Sequence, residues 1–282
     1  MNKFSLLAIA FLLVFSLEAF AADQVTFNLR SGRSITATIK APDTASGKLP
    51  VLMVFGGFKE AARVLELVKT QEPIILAGFD YPFDPPRKFM FPASLRYAPQ
   101  VKQMIADTRE GILELRKVLI ARGDVDASKI TIIGASLGSP FAIAAAAEDP
   151  GFSGLVLVHG FADLRRTAKH QFIKSWKPKF GLISHVPAWL ITTFGYFYLN
   201  PPEPEEAAWA LHRNQKVLVI EATEDSFIPK KSREALWDGL QKSAARVEKI
   251  EMPGDHVQPG SEQAIKNILG LVNIWMTKVG LL

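Results

Sequence analysis

Gly134-Ala135-Ser136-Leu137-Gly138 carries the clearest chemical content of this 282-residue chain. It follows the apolar run Ile130-Thr131-Ile132-Ile133 and opens an alanine-rich stretch that ends at Glu148. Between a buried strand and a helix, Gly-x-Ser-x-Gly makes a sharp turn that lifts a serine hydroxyl above a sheet. That hydroxyl is a weak nucleophile until a base takes its proton as it attacks. Of the five histidines, His170, His185 and His212 lie in or near a segment outside the strand–helix alternation, and His159 ends an expected strand, where a structural role suits it. His256, in Pro253-Gly254-Asp255-His256-Val257, follows the last expected strand. Loops at strand carboxyl ends face the side where the serine is presented, so His256 is the natural base. Its imidazole needs a carboxylate to fix the tautomer and stabilise the imidazolium. Asp225, in the loop after Val217–Ile220, is the preferred acid and Asp163 the second choice, with Glu221, Glu224 and Asp255 also close in sequence. Charge developing on an attacked carbonyl oxygen needs N–H donors. Leu137 supplies one, and the turn Phe55-Gly56-Gly57-Phe58 offers a second from Gly57 or Phe58.

Positioning such a set requires strands ending on one side of a sheet, and the sequence provides them. Residues 24–40 read as a hairpin turning at Ser31-Gly32. Buried-strand runs follow at 49–55, 74–77, 130–133, 155–158, 217–220 and 246–251. Helical spacing marks 59–70, 101–122, 137–148, 231–242 and 261–278. The alternation predicts an α/β fold: a mostly parallel central sheet with helices on both faces, opened by an antiparallel hairpin. Residues 163–213 interrupt it. Their first part interleaves Arg165, Arg166, Lys169, Lys174, Lys177 and Lys179 with Phe172, Ile173 and Trp176, and residues 181–200 hold no Asp, Glu, Lys or Arg. This span is read as a cap inserted over the carboxyl ends of the strands, with Phe180, Trp189, Phe194, Tyr196, Phe197 and Tyr198 as candidate walls of an acyl pocket. The basic stretch is suited to an anionic head group or to peripheral contact with an acidic membrane surface.

Composition narrows the field further. With 48% hydrophobic and 22% charged residues the chain supports a sizeable core, and disorder is excluded. The absence of cysteine excludes disulfides, cysteine-ligated metal and a thiol nucleophile. A net charge of +5 without a concentrated Lys/Arg stripe gives no sign of a nucleic-acid partner. At the amino terminus, Lys3 precedes an apolar run from Phe4 to Leu17 and the small-residue site Ala19-Phe20-Ala21. Residues 1–21 therefore read as a signal peptide, because the run is short of the roughly 20 residues a membrane helix needs. Residues 22–282 are then one capped domain, periplasmic or secreted; an uncleaved amino-terminal anchor is the alternative.

Together the elbow GASLG, the acid loop EDSFIP and the looser GDHV and FGGF segments resemble the α/β-hydrolase superfamily over roughly residues 24–280. The resemblance implies an eight-stranded, mostly parallel sheet and a Ser136–Asp225–His256 triad. Gly57 and Leu137 are implied as oxyanion donors; no cofactor is implied, and no metal is expected. Two positions depart from the pattern: Phe55 replaces a histidine common among relatives, and Asp255 beside the base offers a competing carboxylate. The expected activity is hydrolysis of small-molecule carboxylic esters through an acyl-serine intermediate, with hydrophobic acyl groups suggested by the cap. A peptidase or amidase of the same fold, and a non-catalytic binding protein on this scaffold, are the alternatives.

Overall fold

The computed structural model of the chain describes residues 20–42, 47–57, 61–68, 72–83, 93–258 and 260–282. Most of the expected leader and Phe58 lie outside these residues. Eight strands form one sheet: β1 (Phe20–Asn28), β2 (Ser34–Pro42), β3 (Leu49–Phe55), β4 (Ile75–Gly78), β5 (Val125–Ala135), β6 (Gly154–Val158), β7 (Lys216–Ala222) and β8 (Arg246–Met252). Their spatial order is β1-β2-β4-β3-β5-β6-β7-β8. β2 pairs antiparallel with both β1 and β4, and every other neighbouring pair is parallel. β1 begins at Phe20, so the expected cleavage before Ala22 would remove its first two pairs, with Pro42 and Ala41.

The continuous apolar strands are explained by a core on each side of the sheet. Along β3, Val51, Met53 and Phe55 face one core while Leu52 and Val54 face the other. The first core is closed by α2 (Ala98–Ile120), α3 (Ser139–Glu148), α6 (Pro204–Trp209) and α7 (Lys230–Gln241), which contribute Ile112, Leu115, Ala142, Ala208 and Leu236. The second is closed by α1 (Ala61–Leu67) and α8 (Glu262–Lys278). On α8, Ile268, Val272, Trp275 and Met276 repeat at helical spacing and are all buried. Each such side chain contributes about 1.5–3 kcal/mol by leaving water.

Between β6 and β7 stand α4 (Leu164–Phe180), a short 3-10 turn over Gly181–Ser184, α5 (His185–Leu199) and α6. α4 and α5 pack on each other, whereas α6 packs on α3 and α7, burying Ala208 with Leu211 in the first core. The part of 163–213 that rises over the strand ends is therefore the α4–α5 hairpin. No helix among the described residues is long and apolar enough to cross a membrane.

Candidate active site

The turn after β5 explains why both elbow glycines are needed. A Cβ on Gly134 would lie 2.6 Å from the Ala142 Cβ and 2.6 Å from the Gly138 carbonyl oxygen. One on Gly138 would lie 2.3 Å from the Phe55 carbonyl oxygen. Glycine at 134 thus lets α3 close on β5, and glycine at 138 lets the elbow meet the end of β3. Ser136, at the apex, is held at φ +49°, a conformation that non-glycine residues avoid.

Loops after β7 and β8 bring two partners to this serine. His256 Nε2 is 3.0 Å from Ser136 Oγ, and His256 Nδ1 is 2.8 Å from Asp225 Oδ2. Asp225 and His256 are buried, Ser136 is half-buried. The backbone N–H groups of Phe227 and Ile228 both donate to Asp225 Oδ1 at 2.8 Å. Burial alone would raise the Asp225 pKa, but contacts from His159 and His256 and the Ile228 N–H outweigh it and hold the carboxyl well below its usual range.

Asp163, the alternative acid, is used elsewhere. It caps α4 by accepting from the Arg166 N–H at 3.0 Å and binds the Arg166 guanidinium at 2.6 Å. Asp255 does not compete for the His256 ring either. It accepts from Ser226 N–H, Ser226 Oγ and His256 N–H at 2.6–2.7 Å. This staples the loop after β8 to the loop after β7. Backbone hydrogen bonds from Ser226 and His256 lower the Asp255 pKa.

Two residues matter more than the sequence indicates. His159, at φ +49° just after β6, is buried with its ring centroid 4.5 Å from that of His256. Its Nε2 accepts from the Val257 N–H at 3.3 Å, which leaves the proton of the neutral ring on Nδ1. That atom lies 3.3 Å from Asp225 Oδ2, close but off the hydrogen-bonding direction. The Asp225 carboxylate therefore faces two imidazoles. Tyr81, buried, donates to the Gly56 carbonyl oxygen at 2.8 Å, and burial pushes its phenol pKa up, so it remains a donor. In a trans peptide the N–H points opposite the carbonyl. Anchoring Gly56 O thus fixes the direction of the Gly57 N–H. Only a three-dimensional contact reveals this role, since Tyr81 sits in a loop with no motif of its own.

Cavities open on both sides of Ser136. The smaller, about 160 Å³, lies among Gly56, Gly57, Val158, Val257, Ile265 and Ile268. The larger, about 360 Å³, lies under α4 among Met104, Leu137, Phe161, Leu164, Thr167 and Phe227. Among the described residues neither is lined by Asp, Glu, Lys or Arg. The α5 aromatics expected to wall the acyl pocket do not line it. Phe194 and Phe197 face solvent at 68% and 74% exposure, because α5 turns Ala188 and Thr192 inward instead. His159, Asp225 and His256 also form the one described His/Asp cluster tight enough for a metal ion. Both ring nitrogens of His256 and the Nε2 of His159 already take part in hydrogen bonds, an arrangement that can hold and pass a proton.

The eight-stranded sheet, the strained serine after β5 and the histidine and aspartate loops after β8 and β7 define a serine hydrolase of the α/β-hydrolase fold. Residues 102–278 match the prolyl oligopeptidase family (peptidase S9), and the chain belongs to that family. Comparison with curated protein sequences finds no match. Among solved structures, acetyl xylan esterase from Paenibacillus sp. R4 aligns over 92% of this chain and 86% of its own, with 20% identity and a TM-score of 0.58. Esterases from Rhizomucor miehei align over 94% of this chain and 85% of theirs, at 17% identity and TM-score 0.59. The acylaminoacyl peptidase of Pyrococcus horikoshii aligns over 93% of this chain but 42% of its own length, at 17% identity and TM-score 0.61. At these identities the likeness is one of fold.

Proposed function

We propose that the protein hydrolyses small carboxylic esters with apolar acyl groups, using Ser136 as nucleophile, His256 as base and Asp225 as acid. Ser136 Oγ attacks the ester carbonyl carbon while His256 Nε2 takes the hydroxyl proton. The carbonyl oxygen gathers negative charge between the N–H groups of Gly57 and Leu137. Collapse of this intermediate expels the alkoxide, which receives the proton from His256, and leaves an acyl group on Ser136. Water, deprotonated by the same imidazole, then releases the carboxylic acid and restores the serine. Asp225 stays ionised throughout and stabilises the imidazolium.

The observation that carries the ester reading is the uncharged, apolar lining of both cavities beside Ser136. A peptide's terminal ammonium or carboxylate would find no charged partner among the described lining residues. Family membership favours peptide-bond cleavage as the second reading. A panel of nitrophenyl esters of increasing acyl length, set beside peptidyl and aminoacyl anilides, separates the two. Higher kcat/KM on medium acyl chains than on acetyl, with negligible anilide cleavage, is the expected result. Preference for anilides would overturn it. Ser136→Ala should lower ester turnover by about 10⁴-fold or more with the fold retained. A fluorophosphonate should label the wild-type serine and not this variant; a folded wild type that resists labelling would point to a non-catalytic binding protein.

We further propose an exported, periplasmic or secreted enzyme, supported by the amino-terminal pattern of Lys3, an apolar run and Ala19-Phe20-Ala21. The amino-terminal sequence of the protein recovered from cells tests it: a start near Ala22 supports export, and retention of Met1 favours an anchor.

A further inference from the structure

The outer face of the cap has the wrong polarity for a surface in water. Thirteen large apolar side chains are exposed among the described residues, and nine of them fall between Phe180 and Tyr198. On α5, Val186, Trp189, Leu190, Phe194 and Phe197 recur at three- and four-residue spacing on the exposed side, while Ala188 and Thr192 turn inward. The helix is amphipathic in reverse. A contiguous apolar face of this kind marks a contact surface.

Charge says what the contact is with. Residues 164–202 contain six Lys or Arg and no Asp or Glu, whereas the rest of the chain holds 27 basic and 28 acidic residues. The whole positive excess of the protein therefore sits in the α4–α5 hairpin and the two prolines after it. Lys177 and Lys179, exposed on the last turn of α4 immediately before Phe180, have no acidic partner among the described residues. A second copy docked through this face would bring a second set of uncompensated cations to the same contact and no acidic group to meet them. A surface that is anionic outside and apolar beneath satisfies both halves at once. α5 is about 22 Å long at 1.5 Å per residue, too short to cross the roughly 30 Å of hydrocarbon in a bilayer.

We propose that the protein docks on anionic lipid surfaces through the cap, with the aromatic face of α5 lying in the interface and the basic end of α4 against the head groups. This goes beyond ester hydrolysis and stands without it. The opposite side of the same hairpin, through Leu164, Thr167 and Ala168, roofs the larger cavity. Docking would hold the catalytic serine one helix layer from lipid-dissolved molecules.

The test is sedimentation of the full chain with phosphatidylcholine vesicles that either contain or lack phosphatidylglycerol, at low and high salt. Tight binding only to the anionic vesicles, weakened by salt, is expected. Lys177→Gln/Lys179→Gln should weaken binding about thirtyfold, from roughly one charge's worth of attraction per lysine. Phe194→Ser/Phe197→Ser should weaken it about a hundredfold or more, since both rings leave the interface. That variant also separates cap binding from binding through the apolar amino-terminal stretch. Both variants should keep wild-type melting temperature and turnover of a water-soluble ester. Equal binding by wild type and both variants, or no binding to anionic vesicles, overturns the proposal. So does a dimer detected by light scattering that the phenylalanine variant dissolves, which would make the face a contact between copies. Loss of ester activity in all proteins with docking intact would refute the catalytic reading alone.

Discussion

Helix α3, under Ser136, buries eight of its ten residues, and α5, in the cap above it, buries two of fifteen. Both are apolar along their length. α3 is built of alanine with Phe141 and Ile143, and its small side chains let it lie against β5 and the elbow. α5 is rich in aromatics, and its neighbours leave Trp189, Phe194 and Phe197 uncovered. Hydrophobicity alone thus marks two opposite things, a floor that must not move and a surface that waits for a partner. Packing, rather than composition, separates them. The floor should accordingly be intolerant of small changes and the outer cap indifferent to large ones.

After loss of Ser136 itself, the largest contrast should come at Asp225. Asp225→Asn keeps the shape of the carboxylate but cannot stabilise the imidazolium, and kcat should fall about 10³- to 10⁴-fold with KM little altered. Stopped or steady-state assays on a nitrophenyl ester will show it; a loss below tenfold would mean another group supplies the charge. The same carboxyl sets a pH dependence. Its folded-state pKa lies below the ordinary value of 3.8. The stability it confers is thus fully present above that value and is lost as pH falls through it toward the lower folded value. Melting temperature followed from neutral to acid pH should drop more steeply for wild type than for Asp225→Asn.

Next in size is Gly138→Ala. Its methyl would meet the Phe55 carbonyl at 2.3 Å, so the elbow and β3 must part. A stability loss of about 1–3 kcal/mol, as for other overpacked sites, should accompany reduced activity. His159→Phe keeps a ring beside His256 but removes the second imidazole from Asp225. A fall in kcat of about 10- to 100-fold is expected, the scale of a misplaced catalytic group, with a shift of the pH–rate profile. An unchanged profile would reduce His159 to packing. At the small end, Phe194→Ser should change stability by less than about 0.5 kcal/mol, as at other exposed positions.

The sequence makes the site more legible than its surroundings. Ser136, Asp225 and His256 are readable because each follows a buried apolar strand, and parallel strands deliver their following loops to one side. The start of β5 is harder to see, since Asp126, Ser128 and Lys129 interrupt its apolar pattern although Val125 already pairs with Leu49. His159 reads as structural because nothing local shows that Asp225 lies 3.3 Å from it. The aromatics of α5 read as pocket walls for a related reason. Their spacing defines a face, but the direction of that face depends on how α4 and α5 pack. The paired glycines at 56 and 57 mark a turn, while the hydroxyl that orients it comes from a residue 25 positions away.

The positive φ of Ser136 has a consequence for anyone who evolves or engineers this protein. A left-handed conformation costs a serine about 1–3 kcal/mol that glycine would not incur. Selection for heat resistance alone should therefore favour Ser136→Gly, a tougher protein with no nucleophile. Thermostability screens on this scaffold need an activity gate, because at the apex of the elbow durability and function pull in opposite directions.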